Sequence, residues 1–400
     1  MIEPKIIQSF VPFSAGHKPD TIITKNYAYL ALLSSLQLNK LYGEVTLYTN
    51  NAMGKFFRDL DFPYIIDTSL EGEQGHYFAM PKLKAFLKQD KPFFHFDLDS
   101  LVFEKPLFYE KNSPFIFSHR DMPNAGYTKE DRSVKRKKHK AVTQLLGDIW
   151  FDNLMESYLK AYYNCEWLPE DYPTHFINPN NIPNMNLIGV KDVDTFKQAT
   201  ITAMEIAEKN VEIFTRNWLA SNFIEQLTIP LYCQALNKKY GAALASKHGA
   251  ITSPFTFSGD PFTCTGFPEH DDRWQNVLPS FPFEFKHFYQ CGECGDQHEK
   301  NIKIASKKDL IDNLDLSKFR YAHIGGANKE YALWQAMIIH TIVENFGTDL
   351  LFKVTEYYRK RDQDRQITLR FSAGEILYEE LTGNKLFTKT FRKNLKLSVL

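Results

Sequence analysis

Residues 93–103 read FFHFDLDSLVF. An apolar run of strand length leads straight into Asp97 and Asp99, one residue apart. In an extended backbone, side chains at i and i+2 leave on the same face. A strand over 93–99 therefore carries both carboxylates together at its carboxyl end. Magnesium and manganese favour oxygen ligands and bridge a few protein carboxylates to substrate phosphates. The carboxyl end of a strand is also where open α/β sheets take their ligands. The triplet alone is weakly specific, because Asp often closes turns. The apolar strand ahead of it, with His95 and its flanking Phe residues, argues for burial up to the pair. Two carboxylates left unpaired there would be costly.

Upstream of this stretch, strand-like and helix-like segments alternate. KIIQSFV (5–11) reads as strand, ITKNYAYLALLSSLQLNKLYG (23–43) as helix ending at Gly43, and EVTLYT (44–49) as strand. NAMGKFFRDL (51–60) is a short helix, YIID (64–67) a strand and AMPKLKAFLKQ (79–89) a helix. This order predicts a parallel, doubly wound sheet with Asp97 and Asp99 at the end of the fourth strand. Downstream, FIFSHR (115–120) reads as strand, 121–140 as a polar loop and 141–163 as a long helix. NMNLIGV (184–190) is strand-like, and amphipathic helices are expected over 192–215 and 222–240. Residues 242–305, rich in Pro, Gly, Phe and Cys, read as irregular. FRYAHIGG (319–326) reads as strand and turn, and YALWQAMIIHTIVENF (331–346) as helix. The expected organisation is an α/β domain over 1–346, with insertions near 121–140 and 242–305, followed by a helical, basic extension over 347–400.

Composition narrows the function classes. Apolar residues make up 43% of the 400, enough for a sizeable core. Aromatics are heavy, with 33 Phe and 20 Tyr, which suit a core or a sugar-binding cleft equally. The 48 basic and 48 acidic residues cancel, which argues against a globally basic nucleic-acid binder. The opening MIEPKIIQSFVPF lacks a signal-peptide pattern, and no run of 18 uncharged apolar residues suggests a membrane span. Five Cys in such a chain read as reduced thiols in the cytoplasm.

The ordered set IIQSFV, EVTLYTN, AMPKLKAF, FFHFDLDSLVF, NMNLIGVKD, FIEQ and YAHIGGANK resembles the nucleotide-sugar glycosyltransferases of the GT-A fold. It is similar to the glycogenin and lipopolysaccharide galactosyltransferase type. It is closer still to a bacterial family known mainly as a domain of unknown function with the same Asp-x-Asp signature. The resemblance covers about residues 5–345. It implies a GT-A, Rossmann-like, mostly parallel sheet flanked by helices, with C-terminal helical additions. It implies Mn2+ (or Mg2+) on Asp97 and Asp99, a UDP- or GDP-sugar donor, and a glycan or lipid-linked acceptor of the kind used in polysaccharide biosynthesis.

By the same resemblance, His323 in a His-x-x-Gly-x-x-Lys motif is the third metal ligand and Lys329 meets the diphosphate. The Pro-Trp that commonly follows the family's Lys is absent, the chain reading KEYALW. Lys82 would contact the nucleotide sugar, or else lie on a solvated helix face. Phe10, Val11, Tyr48 and Thr49 end the first two strands, where such enzymes bind the nucleoside. Asn184 and Asn186 resemble an Asn-x-Gly segment near donor or acceptor, with Asn186 standing where the Gly would be. Glu225 and Gln226 match an acidic-amide pair facing the reacting centre. The expected catalytic set is thus Glu225, Gln226 and Asn186, and the His323 motif leans to the retaining reaction by analogy.

Two further clusters stand out. His287, Cys291, Cys294 and His298 form H-x3-C-x2-C-x3-H, ligand types that suit a structural Zn2+ at Cys291/Cys294, with free loop thiols as the alternative. SVKRKKHK (133–140) holds five Lys or Arg in eight residues. Such a run attracts acidic acceptors or the anionic inner face of a membrane, as a peripheral contact, or is simply solvated. A nucleotidyltransferase also uses paired aspartates on an α/β sheet but needs a glycine-rich loop after its first strand, and VPFSAGHKPD has one Gly. A catalytically inactive sugar-nucleotide-binding protein would share the binding residues.

Overall fold

The computed structural model describes residues 3–12, 23–71, 79–105, 115–121, 182–212, 222–235, 241–242, 250–252, 283–290, 297–318, 321–324, 332–364 and 373–386. The elements in chain order are β1 (Lys5–Phe10), α1 (Lys25–Tyr42), β2 (Thr46–Thr49), α2 (Asn51–Asp59), β3 (Ile65–Asp67), α3 (Met80–Leu87) and β4 (Phe93–Phe96). They continue with β5 (Ser100–Val102), β6 (Phe115–Asp121), β7 (Ile182–Val190), α4 (Val193–Lys209), α5 (Asn222–Ala235), β8 (Gly241–Ala242) and β9 (Ala250–Thr252). The last are β10 (Phe283–Gln290), β11 (Gln297–Ile304), α6 (Lys307–Asp312), a 3-10 turn (Leu316–Lys318), β12 (Tyr321–His323), α7 (Ala332–Phe346), α8 (Asp349–Asp364) and α9 (Ala373–Thr382).

The described strands form two sheets. The larger runs β3-β2-β1-β4-β7-β6-β8. Its first four strands are parallel neighbours, as the alternation predicts. β7, which runs antiparallel to both β4 and β6, makes the sheet mixed. The result is a mostly parallel, mixed α/β sheet flanked by helices, compatible with a Rossmann-like fold. The strands reading as continuous apolar runs are buried on both faces, the usual reason for such runs. On β4, Phe93 packs with Phe86 and Phe196 on one side. Phe94 and Phe96 join Ile6, Ile116 and Leu187 on the other.

Helices α1, α2, α7, α8 and α9 build one core, with Leu33, Phe57, Trp334, Tyr358 and Tyr378 among its members. Helices α3, α4 and α5 pack against the opposite face through Leu83, Phe86, Phe196 and Ile229. The chain after 346 thus supplies α8 and α9 to the same core as α1. A buried polar contact ties them in: Glu375, 1% exposed, accepts from Lys25 Nζ at 3.1 Å and from the Tyr29 hydroxyl. α1 ends where the sequence expects it, at Gly43 with φ +83, whose N–H bonds the Asn39 carbonyl.

The smaller sheet runs β11-β10-β9-β12-β5. It corrects the expectation of an irregular 242–305: β10 and β11 pair antiparallel from Phe283↔Ile304 to Gln290↔Gln297. The alternating FEFKHFYQ and QHEKNIKI carry the strand period within a Pro- and Gly-rich surround that masked it. The predicted strand over 93–99 is also corrected. β4 stops at Phe96, and 97–99 form a turn closed by the Ser100 N–H on the Asp97 carbonyl at 3.0 Å. The chain then enters β5, so this turn is where it passes from one sheet to the other.

Candidate functional site

The strand order reverses between β1 and β4. β1 is followed by α1 and β2 on one side, while β4 lies on its other side. The crevice at the carboxyl ends of such a strand pair is the general ligand site of open α/β sheets. Phe10 and Val11 end β1 there, partly exposed, and Asp97 follows β4.

The turn carrying the two aspartates is fixed from both sheets. The Asp97 N–H donates to the Asn186 carbonyl on β7 at 2.7 Å, and the Ile324 N–H after β12 donates to the Asp99 carbonyl at 3.1 Å. Gln8 Nε2 donates to the Asp97 carbonyl (3.2 Å) and to Ser34 Oγ (3.0 Å), and Ser34 Oγ donates to the Ser100 carbonyl (2.9 Å). Ser100 Oγ donates to the Asn186 carbonyl at 3.1 Å. Satisfying these buried backbone groups on every side rigidifies the turn.

Lys82 lies at the start of α3, just after Pro81, and turns into the sheet rather than out to solvent. It is 7% exposed, so the solvated-face alternative is excluded. Its neighbours on that helix face are Leu83 and Phe86, whose ring packs edge-on against His95 at 5.1 Å. Nζ lies 3.1 and 3.2 Å from the two Asp97 oxygens, 3.0 Å from Glu225 Oε1 and 2.6 Å from the Met185 carbonyl. Residues 82, 97 and 225, on three separate elements, meet in one cluster. Glu225, on α5, is 6% exposed, and its Oε2 has no hydrogen-bond partner among the described residues. Asp97 is the member that reaches solvent, with 29% of its side chain exposed.

The electrostatics follow from burial and charge. Burial pushes the Asp97 carboxyl up, Lys82 pulls it down, and Asp99 and Glu225 raise it again, leaving it at about 7. Burial also raises Glu225 against the pull of Lys82. Burial on its own would lower Lys82, but the charges of Asp97 and Glu225 and their hydrogen bonds outweigh it, and the ammonium is held above a lysine's usual value. His95 is fully buried and driven well below its usual value by burial and by Lys82, so it is neutral at pH 7. Its Nε2 lies 2.9 Å from Ser9 Oγ, and its Nδ1 3.7 Å from Asp97 Oδ1. Tyr27, in the first turn of α1, packs on Phe10 with ring centroids 5.6 Å apart. Burial, then the charges of Asp99 and Asp97, hold its phenol protonated. Gln8, Ser9 and Tyr27 were not singled out from sequence. Two polar residues inside the apolar KIIQSF were the available signal for the first two.

Other expected residues fall as follows. The β12 register pairs His323 with Ser100, bringing its backbone beside the Asp97–Asp99 turn. Thr49 is buried, and its hydroxyl donates to the Phe10 carbonyl. Tyr48 is buried too, and its hydroxyl accepts from Lys5 Nζ at the amino end of β1, at 2.8 Å. Asn186 enters the site chiefly through its carbonyl, and Gln226 is half-buried beside Glu225. Lys329, Cys291, Cys294, the basic run 133–140 and the helix expected over 141–163 lie outside the described residues. Among the described residues no group of three His, Cys, Asp or Glu is arranged as a metal cage, and no helix is long and apolar enough to cross a membrane.

Asp97 and Asp99 nonetheless fit a divalent cation by their chemistry. They are oxygen donors on a rigid turn, and the charge of Asp99 adds to burial in raising Asp97. With every carboxylate ionised, Lys82 against Asp97, Asp99 and Glu225 leaves two negative charges.

None of the curated proteins matches the chain. A family of unknown function (DUF6734) matches residues 5–158, less than half of the chain, a span that includes Lys82, Asp97 and Asp99 and stops short of Asn186, Glu225 and His323.

Proposed function

We propose that this chain is a metal-dependent glycosyltransferase of GT-A type. It would move a sugar from a UDP- or GDP-linked donor to a hydroxyl of a glycan or lipid-linked acceptor. The observation that carries this is the meeting of Lys82, Asp97 and Glu225 at the switch point between β1 and β4, on the turn that also holds Asp99. Mn2+ or Mg2+ held by Asp97 and Asp99, with His323 supplied from β12, would offset the charge of the donor diphosphate.

The chain's own groups then have distinct tasks. Lys82 holds Asp97 and Glu225 in place from the buried side. Glu225 anchors the Lys82 ammonium through Oε1, and its Oε2 is buried behind that contact. Phe10 and Tyr27 form an apolar edge to the crevice where a planar or sugar ring can rest. Lys329 would add positive charge against the diphosphate. Because Glu225 is already tied to Lys82, it is better suited to positioning than to taking a proton. That favours the retaining course, which needs no base at that place.

The test is a donor screen for slow hydrolysis of UDP- and GDP-sugars with Mn2+. Hydrolysis of one donor is expected, abolished in Asp97→Asn and Asp99→Asn with the fold intact. A nucleoside diphosphate that binds with no turnover of any donor would favour an inactive binding protein. Full hydrolysis in both variants would refute the assignment.

A further inference from the structure

Lys82 spends its three protons on Asp97, Glu225 and the Met185 carbonyl. Its nitrogen sits almost evenly between both oxygens of Asp97. It therefore covers the carboxylate that a cation would use. An ammonium and a divalent cation on one carboxylate repel strongly where little water screens them. Glu225 provides the outlet. Its Oε1 already bonds Lys82, and its buried Oε2 has no hydrogen-bond partner among the described residues.

We infer that Lys82 and the divalent cation compete for Asp97, and that Glu225 is the positioning residue that draws the ammonium aside when the cation enters. The inference rests on the cation site proposed above. In the cation-free protein Lys82 keeps the carboxylates together. On loading, it gives up Asp97 and retains Glu225, which takes the bond through either oxygen. Glu225 thus acts on the cation through Lys82 rather than as a ligand.

A double-mutant cycle on binding of Mn2+ alone tests this, read by electron paramagnetic resonance of free Mn2+ and by calorimetry. Lys82→Met should tighten Mn2+ by at least about tenfold, since a nearby positive charge is gone. Glu225→Gln should weaken it, because Lys82 then has only Asp97 to pair with. In the Lys82→Met background, Glu225→Gln should lose most of that effect, because its route is removed. The double variant removes one charge of each sign, so it folds where a single variant fails. Equal weakening by Glu225→Gln in both backgrounds would make Glu225 an ordinary nearby charge and overturn the inference. So would unchanged or weaker Mn2+ binding in folded Lys82→Met. Wild-type Mn2+ binding that Asp97→Asn removes, but that ignores Lys82, overturns the competition alone. Absence of any Asp97-dependent Mn2+ binding overturns the cation site and the competition with it.

Discussion

Lys82→Met should destabilise the fold, and by more at high pH than at low. Lys82 is the single described cation bonded to both Asp97 and Glu225. Breaking a buried ion pair by removing one partner costs about 3–5 kcal/mol. Here one stranded carboxylate, Asp97, keeps 29% of its side chain in water, which sets the loss near the lower end, about 3 kcal/mol, at pH 8. The pH dependence has a definite sign. Unfolded carboxylates titrate at about 4, while Asp97 in the native fold already sits at about 7 and Glu225 is raised. Removing Lys82 takes away the main influence lowering both, so the folded variant binds protons more tightly than its unfolded chain. Its stability is therefore fully present below the unfolded value and is lost as pH rises through the folded one. Urea unfolding at pH 5.5 and 8, followed by circular dichroism, should show a clearly smaller loss at pH 5.5. Lys82→Met/Glu225→Gln should recover much of the loss at pH 8, as replacing a whole buried pair often does. The same loss at both pH values, with no recovery in the double variant, would refute the electrostatic account of this cluster.

Gly189 on β7 faces Phe94 and Ile116, and a Cβ there would lie 2.4 Å from Phe94 Cε1 and 2.8 Å from Ile116 Cγ1. Gly189→Ala should cost about 1–3 kcal/mol by overpacking, measured by thermal unfolding, and an unchanged midpoint would show that the sheet yields there. Glu375→Ala leaves Lys25 and the buried Tyr29 hydroxyl without this acceptor, so amide exchange in 373–382 should accelerate more than in α7; equal exchange would mean that apolar packing alone docks α9. Mn2+ binding should weaken as pH falls through about 7, where Asp97 takes up a proton in the cation-free protein, and should release protons on loading; pH-independent affinity in calorimetry would refute that role for Asp97.

Much of the architecture is legible along the chain because its signals are local. The alternation over 5–96 announces itself through periods of 2 and 3.6, and the four parallel strands follow from it. The site is legible where a residue pair is local too, as with Asp97 and Asp99. Even there the i, i+2 argument describes a strand, whereas the two carboxylates leave a turn between two sheets. The β10–β11 hairpin was hidden for a related reason: its alternating segments sit among Pro, Gly and Cys that read as loop.

From sequence alone came the α/β class, the order of the first four strands, the position of Asp97 and Asp99 after the fourth, and the candidacy of Lys82 and Glu225. The first three depend on neighbours within a few residues, where backbone geometry acts directly, whereas the candidacy of Lys82 and Glu225 came from the family resemblance. Tertiary structure alone decided that β7 runs against β4, that α8 and α9 complete the core begun by α1, and that Lys82 bridges Asp97 and Glu225. Residues 143 apart in sequence carry no local mark of their pairing. A lysine near a helix start looks the same whether it meets water or two buried carboxylates. What separates the two outcomes is which face of α3 is covered, and that is settled only when α5 and β7 close over it.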